Sequence, residues 1–201
     1  MKTLIIVDAQ IDFMPGGALE VKEGDRIIPV INKILPQFEL VVATQDWHPE
    51  NHKSFAVNHS GKNEFEVIEL NGLEQKLWPP HCVQETKGAD FHPDLRSKPI
   101  EAIFRKGMDP EIDSYSGFYD NGHKKSTGLS GYLREKGATE LYFCGLAADI
   151  CVYFSLMDAL KEGFSATLIE DAAVPLIPEE FDKIKDDIQQ KGGKIISSNE
   201  L

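Results

Sequence analysis

Short apolar runs alternate with segments of helical spacing along most of the chain. Thr3–Val7 (TLIIV) and Leu40–Thr44 (LVVAT) are continuous apolar stretches, the pattern of strands buried on both faces. Between them, Ile27, Val30, Ile31, Ile34 and Leu35 recur at helical spacing over 24–38, with Pro29 near the first turn, where a missing amide is tolerated. A third strand is expected over 100–105, and Ser126 or Thr127 is expected to cap a helix running to about Lys136 before Gly137. The run from Leu141 predicts a central strand, which turns at Gly145 into a helix. Asp149 is expected to cap that helix, and Ile150, Tyr153, Phe154, Met157 and Leu160 to face the core. A fifth strand over 165–169, an amphipathic helix over 178–190 and a short strand over 194–197 complete the pattern.

This alternation predicts an α/β, three-layer Rossmann-like fold: one domain over residues 1–201, with six mainly parallel strands flanked by helices. The pattern loosens between about 50 and 99, which reads as a loop-rich insertion over the C-terminal edge of the sheet. Loops of that length in a compact domain usually carry function.

Composition narrows the partners. The net charge is -12, which argues against nucleic-acid binding, since that needs clustered cations. Nothing approaches the ~20 apolar residues of a membrane span, and the apolar run of MKTLIIVDAQ is too short for a signal peptide. Three cysteines, Cys82, Cys144 and Cys151, form neither an even framework nor a CxxC pair, which suits a reducing cytoplasm. A homo-oligomer is left open.

The candidate chemistry lies at strand ends. Asp8, Asp46, Lys106 and Cys151 each sit at or just beyond the C-terminal end of an expected strand, the edge where open α/β sheets bind ligands. Cys151 falls in the expected first helical turn, where free amides and the helix dipole lower a thiol pKa and can hold an oxyanion; a buried structural cysteine is the plain alternative. Asp8 is either a structural acid or a base for Cys151, with Lys106 offsetting the cost of its burial. Asp46 and His48, two apart in extended chain, point the same way. With His81 they would form an open site for zinc, iron or manganese; the alternatives are a simple turn, a surface His81, or Cys82 as the ligand. Phe13 and Trp78, beside these residues, are the aromatics best placed to line a pocket.

Six blocks in order, LIIVDAQIDFMPGGAL, TQDWHPENHKSF, LWPPHCVQ, FRKGMD, DSYSGFYDN and GLAADICVYFSLMDAL, resemble the nicotinamidase branch of the isochorismatase-like cysteine hydrolases. The resemblance implies hydrolysis of nicotinamide to nicotinate and ammonia through a thioester, in NAD salvage. It implies Cys151 as nucleophile, Asp8 as base and Lys106 as the cation between them. Asp46, His48 and His81 would bind a divalent metal, zinc foremost. Phe13, Leu19 and Trp78 would contact the ring, and a cis Leu146–Ala147 peptide would aim the Ala147 amide, with that of Cys151, at the oxyanion. Ile150 and Ala148 depart from the aromatic and threonine common in the family, which bears on specificity. Three alternatives stand beside this reading: a sister hydrolase acting on another amide or carbamoyl compound, attack by metal-held water with Cys151 structural, and a binding module without catalysis.

Overall fold

In the computed structural model, which describes residues 1–201, six strands form one parallel sheet. The strands are β1 (Lys2–Val7), β2 (Leu40–Asp46), β5 (Ala102–Lys106), β6 (Glu140–Leu146), β7 (Ser165–Val174) and β8 (Lys194–Ile196), in spatial order β5-β2-β1-β6-β7-β8. A separate hairpin of β3 (Val67–Leu70) and β4 (Leu73–Lys76) lies in the insertion. Successive side chains of β1 divide between two cores, as strand geometry requires. Leu4 and Ile6 join α1 (Ile27–Ile34) on one face. Ile5 and Val7 join α2 (Leu129–Glu135), α3 (Tyr153–Lys161) and α4 (Phe181–Gln190) on the other. No helix is long and apolar enough to cross a membrane.

Strand order reverses between β1 and β6. This is the switch point where a crevice opens beyond the strand ends, and Asp8 and Cys151 flank it.

Within the loop-rich insertion, Asn71 and Gly72, both at positive φ (52° and 81°), make the tight turn of the β3–β4 hairpin. Four expectations need correction. β7 extends to Val174 instead of Ile169, because after a register shift between Phe143 and Gly145 it pairs again with Gly145 and Leu146. Gly128, not Ser126 or Thr127, occupies the N-cap of α2; the two hydroxyls accept the Gly128 and Leu129 amides just ahead of it. Finally, Ala148–Val152 forms a π-helical turn before α3. Its extra residue shifts the phase of the apolar stripe, so Val152, Ser155, Leu156 and Ala159 are fully buried, whereas Phe154 is 42% exposed and Tyr153 and Leu160 are only half-buried. Asp149 does not cap α3. Its carboxylate accepts the Leu176 and Ile177 amides, both at 2.8 Å, and ties the segment after β7 to the switch point.

Candidate active site

Asp8 follows the last residue of β1 at φ 46° and is fully buried. Its Oδ1 accepts the Thr44 hydroxyl at 2.6 Å. Lys106, the last residue of β5, places Nζ 2.9 Å from Asp8 Oδ2. Nζ also donates to Asp46 Oδ1 at 2.6 Å, to the Ser114 carbonyl at 3.0 Å and to Cys151 Sγ at 3.5 Å. Asp8 Oδ2 thus has no polar neighbour but this shared cation, and keeps a lone pair free to take a proton. Carboxylate oxygens of Asp8 and Asp46 and the Cys151 sulfur all lie within 4.8 Å of one another.

Sheet register explains the Lys106–Asp46 contact. The two residues are direct partners across the parallel β2–β5 pair. Gln10 holds Asp46 from the other side, accepting its N–H and donating to its carbonyl, both at 2.8 Å.

Burial raises the Asp8 pKa, and the nearby Asp46 carboxylate adds to this against the pull of Lys106. Burial would lower the Lys106 pKa, but Asp46 and Asp8 outweigh it and keep the amine charged. Cys151 is corrected against expectation. Burial pushes its thiol well up, the Asp8 and Asp46 carboxylates add to this, and Lys106 only partly offsets them. At rest Cys151 is thus a thiol that needs a base to activate it, not a thiolate made by a helix terminus. Cys82 and Cys144 are also held as thiols by burial.

Asp46, His48 and His81 form the second cluster. Asp46 Oδ2 lies 3.6 Å from His48 Nε2 and 3.8 Å from His81 Nε2. Both rings are oriented by main-chain carbonyls. His48 Nδ1 faces the Gly107 carbonyl at 2.9 Å, and His81 Nδ1 faces that of Pro79 at 2.8 Å. A carbonyl can only accept, so each Nδ1 carries a proton and each Nε2 is the ring atom aimed at Asp46 Oδ2, the arrangement of metal-ligating histidines. Burial, with His48 nearby, lowers His81 to about 4, so its ring is neutral. Burial raises the Asp46 pKa, but Lys106 and His48 together lower it by more, leaving it below the usual carboxylate range. Two neutral-capable imidazoles and one ionised carboxylate, all buried, fit a divalent cation such as zinc, iron or manganese. Cys82 is not part of this set; it is fully buried in the apolar core.

Both clusters open on one cavity, walled by Phe13, Leu19, Trp78, Tyr115, Ile150 and Leu176. Ala147 and Cys151 line it, as do Asp46, His48 and His81. The Leu146–Ala147 peptide is cis, as the resemblance implied. Every expected site residue thus lies in or beside one cavity. Several were not expected. Gln10, Thr44 and Ser114 fix the acids and the lysine. His52 and Asp113 pack within ligand distance of His48, both buried, and His52 Nε2 has no partner. Their only trace in the sequence is their position within the six ordered blocks.

Two observations define the class: a parallel sheet with a buried Asp–Lys–Cys set at its switch point, and a three-donor cluster beside it. The isochorismatase domain model matches residues 2–200, and the chain belongs to that family. Within it, the chain is 48% identical to the nicotinamidase of Acinetobacter baylyi over 169 residues, covering 84% of this chain and 79% of that one. The Acinetobacter baumanii nicotinamidase/pyrazinamidase structure superposes with a TM-score of 0.96 at 47% identity, covering 100% of this chain and 97% of that one. A zinc complex of Pyrococcus horikoshii pyrazinamidase gives 0.81 at 40% identity, with 98% of each chain covered.

Proposed function

We propose that this protein is a nicotinamidase, an amidohydrolase that converts nicotinamide and water to nicotinate and ammonia. The observation that carries the reading is Asp46. One of its oxygens meets Lys106 of the reactive set and the other faces the two histidines, so a single cavity offers both a cation site and a thiol. The likeness to nicotinamidases from two Acinetobacter species supports the same substrate.

Asp46, His48 and His81 would hold a divalent metal, with zinc supported by the similar Pyrococcus horikoshii complex. When bound, the cation supplies a Lewis-acid contact for the pyridine nitrogen. Phe13, Leu19 and Trp78 pack on the ring and fix its plane. With the ring so oriented, the carboxamide lies at Cys151. Asp8 Oδ2 takes the thiol proton as Sγ attacks the amide carbon, and the Ala147 and Cys151 amides hold the oxyanion; one such donor is worth about 3 kcal/mol in a transition state. Asp8 returns the proton to the amide nitrogen as the C–N bond breaks, which releases ammonia and leaves a thioester. Asp8 then takes a proton from water. The hydroxide adds to the thioester carbon, the C–S bond breaks, and the Asp8 proton restores the thiol. Lys106 keeps its charge throughout and stabilises whichever of Asp8 and Cys151 is anionic.

The whole chain acts as one hydrolase domain, with the insertion supplying His81 and Trp78. Nicotinate production suits NAD salvage, and three unpaired thiols suit a cytoplasmic setting.

The test is ammonia release from nicotinamide by the purified, zinc-loaded protein, with benzamide as the control that lacks only the ring nitrogen. Fast release from nicotinamide and little from benzamide is the expected result. Release from neither, with the thiol reduced, would overturn the assignment in favour of a sister hydrolase.

A further inference from the structure

Asp12 takes no part in the proposed chemistry, yet three segments of the pocket meet on it. It lies in the short turn Ile11–Phe13, immediately before Phe13. Its Oδ2 accepts the Cys82 amide at 2.7 Å and its Oδ1 the Ala18 amide at 3.4 Å, while its main-chain carbonyl accepts the Leu19 amide at 3.0 Å. Cys82 directly follows His81 and is held at φ 46°, a conformation that a residue with a side chain keeps only when its surroundings fix it. The Cys82 carbonyl in turn accepts the His48 amide at 3.0 Å. One carboxylate thus ties the ring wall at Phe13 and Leu19 to the loop of His81 and, through Cys82, to His48. The neighbouring chain leaves room for it: a Cβ on Gly88 would lie 2.1 Å from Asp12 Oδ2.

We propose that Asp12 is a positioning residue that sets the distance between the ring wall and the two metal-binding histidines, so that a ring seated on Phe13 presents its nitrogen to the cation. Its ionised oxygens accept backbone amides more strongly than a neutral side chain would. The proposal rests on the nicotinamidase reading for its substrate arm but not for its metal arm.

Three variants test it: Asp12→Ala, Asp12→Asn and Gly88→Ala. Zn²⁺ affinity is measured without substrate, by competition with a chromophoric chelator, and kcat and KM for nicotinamide are measured at saturating Zn²⁺. Asp12→Ala is expected to weaken Zn²⁺ binding about 10-fold or more, as loss of an outer support does. It should also raise KM by about as much, with kcat falling by less than about threefold, the signature of lost positioning. Asp12→Asn keeps an oxygen for the Cys82 amide and is expected to recover most of both losses. Gly88→Ala crowds the carboxylate without deleting it and should move both quantities the same way by less, which keeps the proposal open to refutation if Asp12→Ala does not fold. Wild-type Zn²⁺ affinity and KM in the variants that fold would overturn it, as would a fall in kcat alone. If the wild-type protein releases no ammonia from nicotinamide, the functional reading fails, while the Zn²⁺ measurements still decide the role of Asp12.

Discussion

At the sheet end of the site, Asp8 and Lys106 stand on the ends of β1 and β5 and Cys151 on the turn after β6, each placed by neighbouring strands. At its loop end, His48 and His81 stand on loops, and main-chain carbonyls of Gly107 and Pro79 set their rings. The sheet end is over-determined: moving Lys106 means breaking its register with Asp46. At the loop end each ring's Nδ1 has a single main-chain carbonyl as its partner. The two ends share Asp46, which gives one oxygen to each. Damage at the sheet end should therefore abolish chemistry and leave binding, whereas damage at the loop end should weaken the metal and the orientation of substrate and leave the thiol reactive.

The largest effect is expected from Cys151→Ala. With no nucleophile, the remaining amides and binding groups sustain little turnover, and a loss of about 10⁴-fold or more is expected. Nicotinamide should still bind the zinc-loaded variant by calorimetry, because the ring wall and the histidines are untouched. Near-wild-type turnover would break the comparison outright, leaving Cys151 structural.

The second test addresses the residue that joins the ends. His81→Asn and Asp46→Asn should both weaken Zn²⁺ by about 100-fold or more, since each removes a direct ligand and even outer supports cost 10–100-fold. They should differ at the thiol. Asp46→Asn also strips Lys106 of its closest carboxylate, so the cation is freed to favour the Cys151 thiolate, and alkylation by iodoacetamide should speed up. His81→Asn should leave that rate near wild type. Equal rates in both variants would mean that Asp46 does not couple the ends.

The sheet end was more legible in the sequence than the loop end, for a physical reason. A short strand-like run that stops near a charge reports both a strand and where it ends, so Asp8, Asp46 and Lys106 could be set on one rim without coordinates. That Lys106 would pair with Asp46 as well as Asp8 was not legible, because it depends on the register between β2 and β5, which no local pattern encodes. The burial that keeps Cys151 protonated was hidden in the same way: a helix start is visible in sequence, but two carboxylates brought in from distant strands are not. At the loop end, the DxH spacing suggested two ligands with His81 as a third, and the resemblance of the ordered blocks favoured that set over its alternatives. The carbonyls of Gly107 and Pro79 that choose the tautomers leave no side-chain signature at all.

The smallest of these effects tests how tightly the loop end is held. Gly107 has φ 65°, and an added Cβ would sit 2.3 Å from His48 Cε1 and 2.6 Å from Nδ1. Gly107→Ala must therefore either push the His48 ring aside or twist the backbone that presents the carbonyl to it. Forcing a side chain into positive φ costs more than about 1 kcal/mol in stability, and displacing an outer support of a metal ligand costs about 10-fold in metal affinity at the lower end of the usual range. A modest drop in melting temperature is expected, together with a loss of Zn²⁺ affinity near that size, while the Cys151 alkylation rate stays at the wild-type value because Asp8, Lys106 and Asp46 are held by the sheet. If alkylation shifts along with Zn²⁺ affinity, the two ends are not independently supported, and Gly107, next in sequence to Lys106, transmits the disturbance between them.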